Sequence, residues 1–279
     1  VPGAGKTQPL WRGRGHGGAC GGWSLPGFWS TLRNRECLGA YISASSNGIA
    51  LPRCTSTKGR AMGLALFDLD NTLIAGDSDH LWGDFLVAEG LVDATTHKAL
   101  NEHYYQQYQQ GLLDINEYLS FALGPMTGMT PETLSVLQEK FLTEHVEPIL
   151  LDAAFELLQQ HSVKGDTLII ITATNTLVTR PITNRLGVDH LIGCEADIEN
   201  GQYTGLPQGI PSFGEGKVHR IKAWCAENSA SLEDAVFYSD SHNDLPLLRA
   251  VTTAVAVDPD DVLRSEAERC GWDIISLRR

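Results

Sequence analysis

Short apolar runs alternate with longer amphipathic segments along the chain from residue 62 onward. The apolar runs predict six strands, at 64–68, 167–172, 235–239 and 253–257 and, more weakly, near 191–196 and at 273–277. Helical segments between successive strands are typical of a parallel sheet that is covered on both faces. The pattern therefore predicts an α/β fold of three layers, α/β/α, with a mostly parallel sheet and the purest apolar run, 167–172, as its central strand.

Residues 197–204 carry the pattern of a β-hairpin. Asn200 and Gly201 stand between alternating residues, and an Asn-Gly pair favours a two-residue turn because both residues tolerate positive φ angles. We therefore expect an antiparallel hairpin in this part of the chain.

The first two strong strands are separated by about a hundred residues, far more than a single crossover needs. The periodicity of this segment predicts helices over 79–89, 95–110, 114–123, 131–145 and 149–161. We therefore predict an α-helical cap over 78–150, inserted into a core that comprises 62–77 and 151–279. The aromatic and sulfur side chains of the cap either line a pocket or simply pack its helices: Tyr104, Tyr105, Tyr108 and Met126.

Charge is unevenly distributed along the 279 residues. The net charge is −13, yet residues 1–61 carry eight bases and one acid, so the remainder has a net charge of −20. An acidic body argues against a nucleic acid partner and suits a metal ion or a cationic substrate. No C-x-x-C pair occurs among the six cysteines, and no apolar stretch is long enough to span a membrane. We expect a cytoplasmic protein without zinc or disulfides.

Residues 1–61 differ from the rest of the chain. They hold 12 of the 28 glycines and show no extended helical or alternating pattern, and Met62 leads directly into the first predicted strand. We expect Met62 to be the natural start and 1–61 to be a disordered, upstream or tag-like extension.

Two carboxylates, Asp68 and Asp70, follow the first predicted strand, with Thr72 two residues further on. Because side chains alternate along a strand, both carboxylates point to the same side at its carboxyl end, where open α/β sheets bind their ligands. Such a pair repels itself unless it shares a proton or a cation. The spacing therefore predicts a divalent metal site.

Three further elements carry polar side chains at matching places. In chain order they are Thr172 at the end of the second strand, Lys217 at a predicted helix start, and Asp240 and Asp244 after the strand at 235–239. The four elements together resemble the haloacid dehalogenase superfamily of phosphohydrolases, most closely its phosphoserine-phosphatase-like branch with a helical cap. The resemblance extends over 62–279 and implies a Rossmann-like core and the hydrolysis of phosphomonoesters.

The resemblance also implies a role for each carboxylate. Asp68 would be the nucleophile that forms an aspartyl-phosphate, and Asp70 would be the general acid and base. Mg²⁺, which prefers oxygen ligands, would bind Asp68, the main-chain carbonyl of Asp70 and Asp240, with Asp244 as an additional or indirect ligand.

The remaining matched residues would contact the substrate. Thr172 and Lys217 would bind the phosphoryl oxygens, and the supporting contacts would come from Ala173, Asn175 and Asn243. Plainer interpretations stay open, because Thr172 could simply end a strand and Lys217 could be a solvated helix charge. Asp240 and Asp244 could likewise cap the next helix. The family has no histidine at the position of His242, so we expect this residue at the edge of the pocket or on the surface.

The acids at the entry to the cap bear on the choice of substrate. Phosphoserine phosphatases offer a glutamate to the ammonium group in the region where this chain has Asp77, and a cap arginine to the carboxylate. No arginine occurs from 61 to 179, so Asp77, Asp79 and the other cap acids favour a substrate with an amine and no carboxylate, unless they are merely solvated. Histidinol phosphate is the leading candidate, because 76–82 looks like the corresponding stretch of histidinol phosphatases. Phosphoserine, phosphoryl transfer to an alcohol acceptor and a catalytically silent binding module are the alternatives.

Overall fold

One sheet of seven strands forms the centre of the computed structural model, which describes residues 63–278. The strands are β1 Leu64–Phe67, β2 Thr167–Asn175, β3 His190–Glu199, β4 Gln202–Gln208, β5 Val236–Ser239, β6 Thr253–Val257 and β7 Asp273–Ile275. Their order across the sheet is β4-β3-β2-β1-β5-β6-β7, and every neighbouring pair is parallel except β3 and β4. The predicted α/β fold is confirmed, whereas the prediction for 1–61 lies outside the described residues.

The middle strand of the sheet is β1, so the prediction that 167–172 is central was wrong by one position. Strand β2 lies next to it, between β1 and β3. Because Ile169, Ile170 and Ile171 are completely buried, β2 has the continuous apolar run of any interior parallel strand. The run therefore identifies an interior strand and does not say which interior strand is the middle one.

The hairpin predicted at 197–204 is formed by β3 and β4. Glu199 pairs with Gln202, and the turn between them places Asn200 at φ 51° and Gly201 at φ 79°. Both angles lie in the left-handed region that a two-residue turn of this kind requires. The hairpin adds an antiparallel edge to an otherwise parallel sheet.

Helices cover both faces of the sheet, as the alternation of side chains along β1 requires. Ala65 and Phe67 pack in one apolar cluster together with α5 Asp152–Lys164 and α6 Thr176–Arg185. Leu64 and Leu66 pack in a second cluster, on the opposite face, whose helices are α7 Glu215–Asn228, α8 Leu245–Leu248 and α9 Asp261–Cys270. The core therefore has the three layers that the sequence predicts.

The segment between β1 and β2 is helical. It contains α1 Ser78–Ala88, α2 Ala94–Gln109, α3 Ile115–Leu123 and α4 Pro131–Phe141. The predicted helix 131–145 ends as an α-helix at Phe141 and continues as a π-helical turn over Leu142–Val146. The chain enters and leaves this cap side by side, because the main-chain N–H of Ala75 donates to the carbonyl oxygen of Ile149 at 2.8 Å. No helix within residues 63–278 has the length and apolar character needed to cross a membrane.

Candidate active site

The carboxyl ends of β1 and β5 bring Asp68 and Asp240 to one edge of the sheet. The N–H of Asp68 donates to the carbonyl oxygen of Tyr238 at 2.9 Å, which continues the pairing of the two strands as far as the site. The Asp68 carboxylate is 4% exposed, and its Oδ1 accepts a hydrogen bond of 2.8 Å from Lys217 Nζ. Burial raises the pKa of Asp68 to about 7, against the opposing charge of Lys217.

Lys217 lies between two carboxylates. Its ammonium group is 2.8 Å from Asp68 and 2.7 Å from Asp244, and Ser239 Oγ donates to Asp244 at 2.7 Å. Burial by itself would lower the pKa of Lys217, but the negative charges of Asp244 and Asp68 outweigh it and raise that pKa. The lysine is therefore a fixed positive charge at the base of the site. It is not a solvated helix residue.

Asp240 is held by Thr72. The Thr72 hydroxyl donates to Asp240 Oδ1 at 3.0 Å and accepts the main-chain N–H of Asp240 at 3.0 Å. Burial raises the pKa of Asp240 well above its usual range, and the charges of Asp68 and Asp244 add to the rise. We call Asp68, Asp240 and Asp244 the floor carboxylates.

The floor has the donor set that a hard divalent cation prefers. Three carboxylates lie close together there and one ammonium group contacts two of them, Asp68 and Asp244, so an additional positive charge would relieve their repulsion. Within the described residues, no group of three or more His, Cys, Asp or Glu side chains is arranged as a metal site made of side chains alone. Asp244 is already engaged by Lys217 and Ser239, which leaves Asp68 and Asp240 as the carboxylates that could bind a cation. A cation at this site would therefore need main-chain oxygen and water as its other ligands.

Asp70 is oriented by three groups. Its Oδ1 accepts the main-chain N–H of Ser78 at 2.6 Å, and its Oδ2 accepts the Thr174 hydroxyl at 2.8 Å and, at the longer distance of 3.4 Å, the Thr172 hydroxyl. Ser78 is the first residue of α1, so the beginning of the cap helps to fix a carboxyl group of the core. The Thr174 contact was not predicted from the sequence.

A cavity lies between this edge of the sheet and the cap. It is lined by Asp68 and Asp70 on the core side, and its cap side is mainly aromatic and acidic, with Tyr104, Tyr105, Tyr108, Tyr118, Asp77 and Asp79. The three tyrosines singled out in the sequence thus line a pocket, whereas Met126 is 1% exposed and packs in the apolar core. Tyr118 had not been singled out.

Asp77 and Asp79, which we call the cap-side carboxylates, are held by neutral groups in the part of the chain that the structure describes. Asp77 Oδ1 accepts the main-chain N–H groups of Asp79 at 3.0 Å and His80 at 2.9 Å, and so caps α1. Asp79 Oδ1 accepts a hydrogen bond of 3.2 Å from Asn175 Nδ2. Burial raises the pKa of Asp77 to about 7 and that of Asp79 to about 8, with the charges of Asp70 and Asp77, respectively, as the next contributions.

The other residues predicted to contact the substrate lie around this cavity in different settings. Ala173 lines the cavity, and its carbonyl oxygen accepts the Cys194 thiol at 3.0 Å. Asn243 Nδ2 donates to the carbonyl oxygen of Tyr108 at 3.1 Å, which joins the core to the end of α2. His242 is next to Asn243 but does not line the cavity, and its Nδ1 lies 2.8 Å from Asp260 Oδ2.

Comparison with known proteins agrees with this geometry. Residues 65–249 match the model of the haloacid dehalogenase-like hydrolase family, and the chain belongs to this family. It is 41% identical to the histidinol-phosphatase of Neisseria meningitidis serogroup C over 77% of this chain and 99% of that protein. It is 33% identical to a phosphoserine phosphatase of Mycobacterium tuberculosis over 77% of this chain and 70% of that protein.

One protein of known structure has about the same sequence identity to this chain as the histidinol-phosphatase has. A Bordetella pertussis protein of unknown function superimposes with a TM-score of 0.73 at 40% identity, over 77% of this chain and 99% of that one. The family and the relatives together identify the chain as a phosphatase, an enzyme that hydrolyses phosphoric monoesters of small metabolites.

Proposed function

We propose that this phosphatase is magnesium-dependent and works through an aspartyl-phosphate on Asp68. The observation that supports this most strongly is the setting of the Asp68 carboxylate. Its Oδ1 is held by Lys217, and at the floor of the cavity its Oδ2 accepts no hydrogen bond from the described residues. An oxygen that is fixed in place and not engaged as an acceptor suits a nucleophile.

The reaction would proceed in two transfers. Asp68 Oδ2 attacks phosphorus while the bond from phosphorus to the ester oxygen breaks, and the Asp70 carboxyl group delivers its proton to the departing alcohol oxygen. Water then attacks the phosphorus of the aspartyl-phosphate and gives a proton to Asp70. The bond from phosphorus to Asp68 breaks in this second transfer, and inorganic phosphate leaves.

The groups around Asp68 would stabilise the charge of the phosphoryl group. Lys217 supplies a compact positive charge and Thr172 a hydroxyl donor, while Asp244 keeps the ammonium group of Lys217 in place. Mg²⁺ bound by Asp68, Asp240 and the main-chain carbonyl of Asp70 would neutralise negative charge on the phosphoryl oxygens. We assign to Asp244 the indirect role of holding Lys217.

We propose histidinol phosphate as the substrate. The cap-side carboxylates offer negative charge next to tyrosine rings, and both features attract an ammonium group. No lysine or arginine is among the residues of 63–278 that line the cavity, so a substrate carboxylate would find no cationic partner there. The similarity to a protein named histidinol-phosphatase supports the same choice.

Phosphoserine is the competing substrate, because a relative with 33% identity is named for it. Its carboxylate would approach Asp77 and Asp79 with no lysine or arginine beside it in the cavity, and a buried charge without a partner costs several kcal/mol. We therefore expect kcat/KM with Mg²⁺ to be at least about 100-fold higher for histidinol phosphate than for phosphoserine. A ratio near one, or a preference for phosphoserine, would reject the proposed substrate.

The covalent intermediate calls for a separate experiment. The reaction is stopped with acid during turnover, and peptides are analysed by mass spectrometry for phosphate on the peptide that contains Asp68. An Asp68→Asn variant treated in the same way is the control. Phosphate on any other residue would overturn the proposed mechanism.

A further inference from the structure

The two oxygens of the Asp70 carboxyl group have different partners. Oδ1 accepts a main-chain N–H, that of Ser78, at 2.6 Å, whereas Oδ2 accepts the hydroxyl of Thr174 at 2.8 Å. Thr174 is 6% exposed and lines the same cavity as Asp70. The Thr172 hydroxyl is farther from Oδ2, at 3.4 Å, so Thr174 makes the shorter side-chain contact.

A bulge in β2 brings Thr174 to this position. Ile171 pairs with Ile192 and Asn175 pairs with Cys194, so four steps along β2 correspond to two steps along β3. Residues 172–174 stand opposite the single residue Gly193, which leaves β2 two residues longer here, and bulges of this kind redirect side chains beside active sites. Both threonine hydroxyls of the bulge consequently face the same carboxyl oxygen.

The chemistry of the two partners differs in a way that matters for a general acid. A main-chain N–H can only donate, so Oδ1 remains an acceptor in every state of the reaction. A threonine hydroxyl can donate to Oδ2 in both states, because a carboxyl oxygen that carries a proton keeps a lone pair and its own O–H stays free to point at the leaving oxygen. Thr174 can therefore hold Oδ2 in one orientation both before and after the proton has moved.

We propose that Thr174 is a positioning residue that aims Oδ2 of Asp70 at the leaving oxygen of the substrate. This inference rests on the proposed function, in which Asp70 gives its proton to the alcohol as the bond from phosphorus to that oxygen breaks. The hydroxyl of Thr174 gains and loses no proton overall. Without it the carboxyl group turns away from the leaving oxygen, and the alcohol departs with less of its negative charge neutralised.

Two aryl phosphate esters that differ by one nitro group distinguish this role from a role in binding. 4-Nitrophenyl phosphate releases a stable anion that needs little protonation, whereas phenyl phosphate releases a more basic one. Neither ester carries an amine, so the test does not depend on the choice of substrate. We expect Thr174→Val to raise the ratio of kcat/KM for the nitrophenyl ester over the phenyl ester by about tenfold, a part of the 10²–10⁴ that general acid catalysis supplies.

Three variants make the outcome unambiguous. Thr174→Ser keeps the hydroxyl and should restore the ratio of the parent enzyme, and Thr174→Ala replaces the valine variant if that variant does not fold. Asp70→Asn should raise the ratio further. If Asp70→Asn leaves the ratio unchanged, the general acid of the proposed function is wrong. If Asp70→Asn raises it and Thr174→Val lowers kcat/KM equally for both esters, or not at all, only the role of Thr174 is overturned.

Discussion

The floor carboxylates and the cap-side carboxylates have different partners, although Asp68 of the floor lines the same cavity as Asp77 and Asp79. Asp68 and Asp244 share the ammonium group of Lys217. Within residues 63–278, the partners of Asp77 and Asp79 are main-chain N–H groups and neutral side chains. The floor thus contains a positive charge, Lys217, next to its carboxylates, and the reaction that takes place there is the same for all phosphomonoesters. On the cap side the positive charge has to come from the substrate, so this side can select among phosphate esters.

The largest effect should come from removing the nucleophile on the floor. We expect Asp68→Asn to lower kcat by at least about 10⁴-fold, because the amide cannot form the acyl-phosphate bond. Phosphate release from histidinol phosphate measures this loss. The variant should still bind the substrate through the cap-side carboxylates, and titration calorimetry would detect that. Loss of binding together with loss of turnover would mean that the two sides of the cavity are not separable.

Replacing Lys217, the positive charge of the floor, should lower the free energy of unfolding. Lys217 is 2% exposed, and Lys217→Met would leave Asp68 and Asp244 buried without a cation. Breaking a buried pair from one side costs about 3–5 kcal/mol, and urea unfolding would measure the decrease. Because burial raises the pKa of Asp68 to about 7, protonation can relieve this carboxylate at the lower pH, so the decrease should be larger at pH 8 than at pH 5. An unchanged free energy of unfolding at pH 8 would contradict this account of the floor.

The cap-side pair should control selectivity. Asp79→Asn keeps the shape of the side chain and its contact with Asn175, but it cannot take the negative charge that Asp79 acquires when a bound ammonium group lowers its pKa. A hydrogen bond to a charged group contributes about 1.5–3 kcal/mol, so kcat/KM for histidinol phosphate should decrease by about 10–100-fold. The value for 4-nitrophenyl phosphate, which has no amine, should stay within about threefold. Equal losses for both esters would show that Asp79 does not recognise the amine.

The Asp79→Asn variant should also change how the stability of the folded protein depends on pH. The pKa of Asp79 is raised to about 8 by burial and by the charges of Asp77 and Asp70, with the nearby Tyr118 hydroxyl opposing the rise. Between pH 4 and pH 8 the unfolded chain has this group ionised while the folded protein keeps its proton, so the parent protein loses stability as the pH rises. Asp79→Asn removes this loss. The difference in melting temperature between variant and parent should therefore grow across that window, and a constant difference would contradict the shift.

The two regions also differ in how far the sequence could predict them. The floor follows from local rules, because Asp68 and Asp240 come directly after apolar strands, Asp244 follows Asp240 by four residues, and parallel strands end at one edge. Lys217 needed the family resemblance, since nothing in its own segment indicates that a lysine on a helix is buried. The partners of the cap-side pair are more distant: Asn175 is 96 residues from Asp79, and no local pattern joins them.

Thr174 shows a second limit of the sequence. The predicted strand ended at residue 172, whereas β2 extends to Asn175 with a bulge over its last part. A bulge depends on how the neighbouring strand pairs, and the residues of one strand do not encode that pairing alone. The repeated threonine at 172 and 174 was the available signal, because two residues apart on an extended strand share a side.

The smallest effect is expected where the two sides of the cavity touch. Asn243 was predicted to contact the substrate, but its side chain donates to the carbonyl oxygen of Tyr108, whose hydroxyl donates to Ser241 Oγ at 3.3 Å. A hydrogen bond of this kind contributes about 0.5–1.5 kcal/mol, so Asn243→Ala should raise KM by about two- to tenfold for every phosphate ester, with kcat little changed. Tyr108→Phe, which removes the neighbouring bond, is the matched variant and should act in the same way. A decrease in kcat of about 100-fold for Asn243→Ala alone would instead place its amide on the phosphoryl group during the reaction, because removing one transition-state donor costs that much.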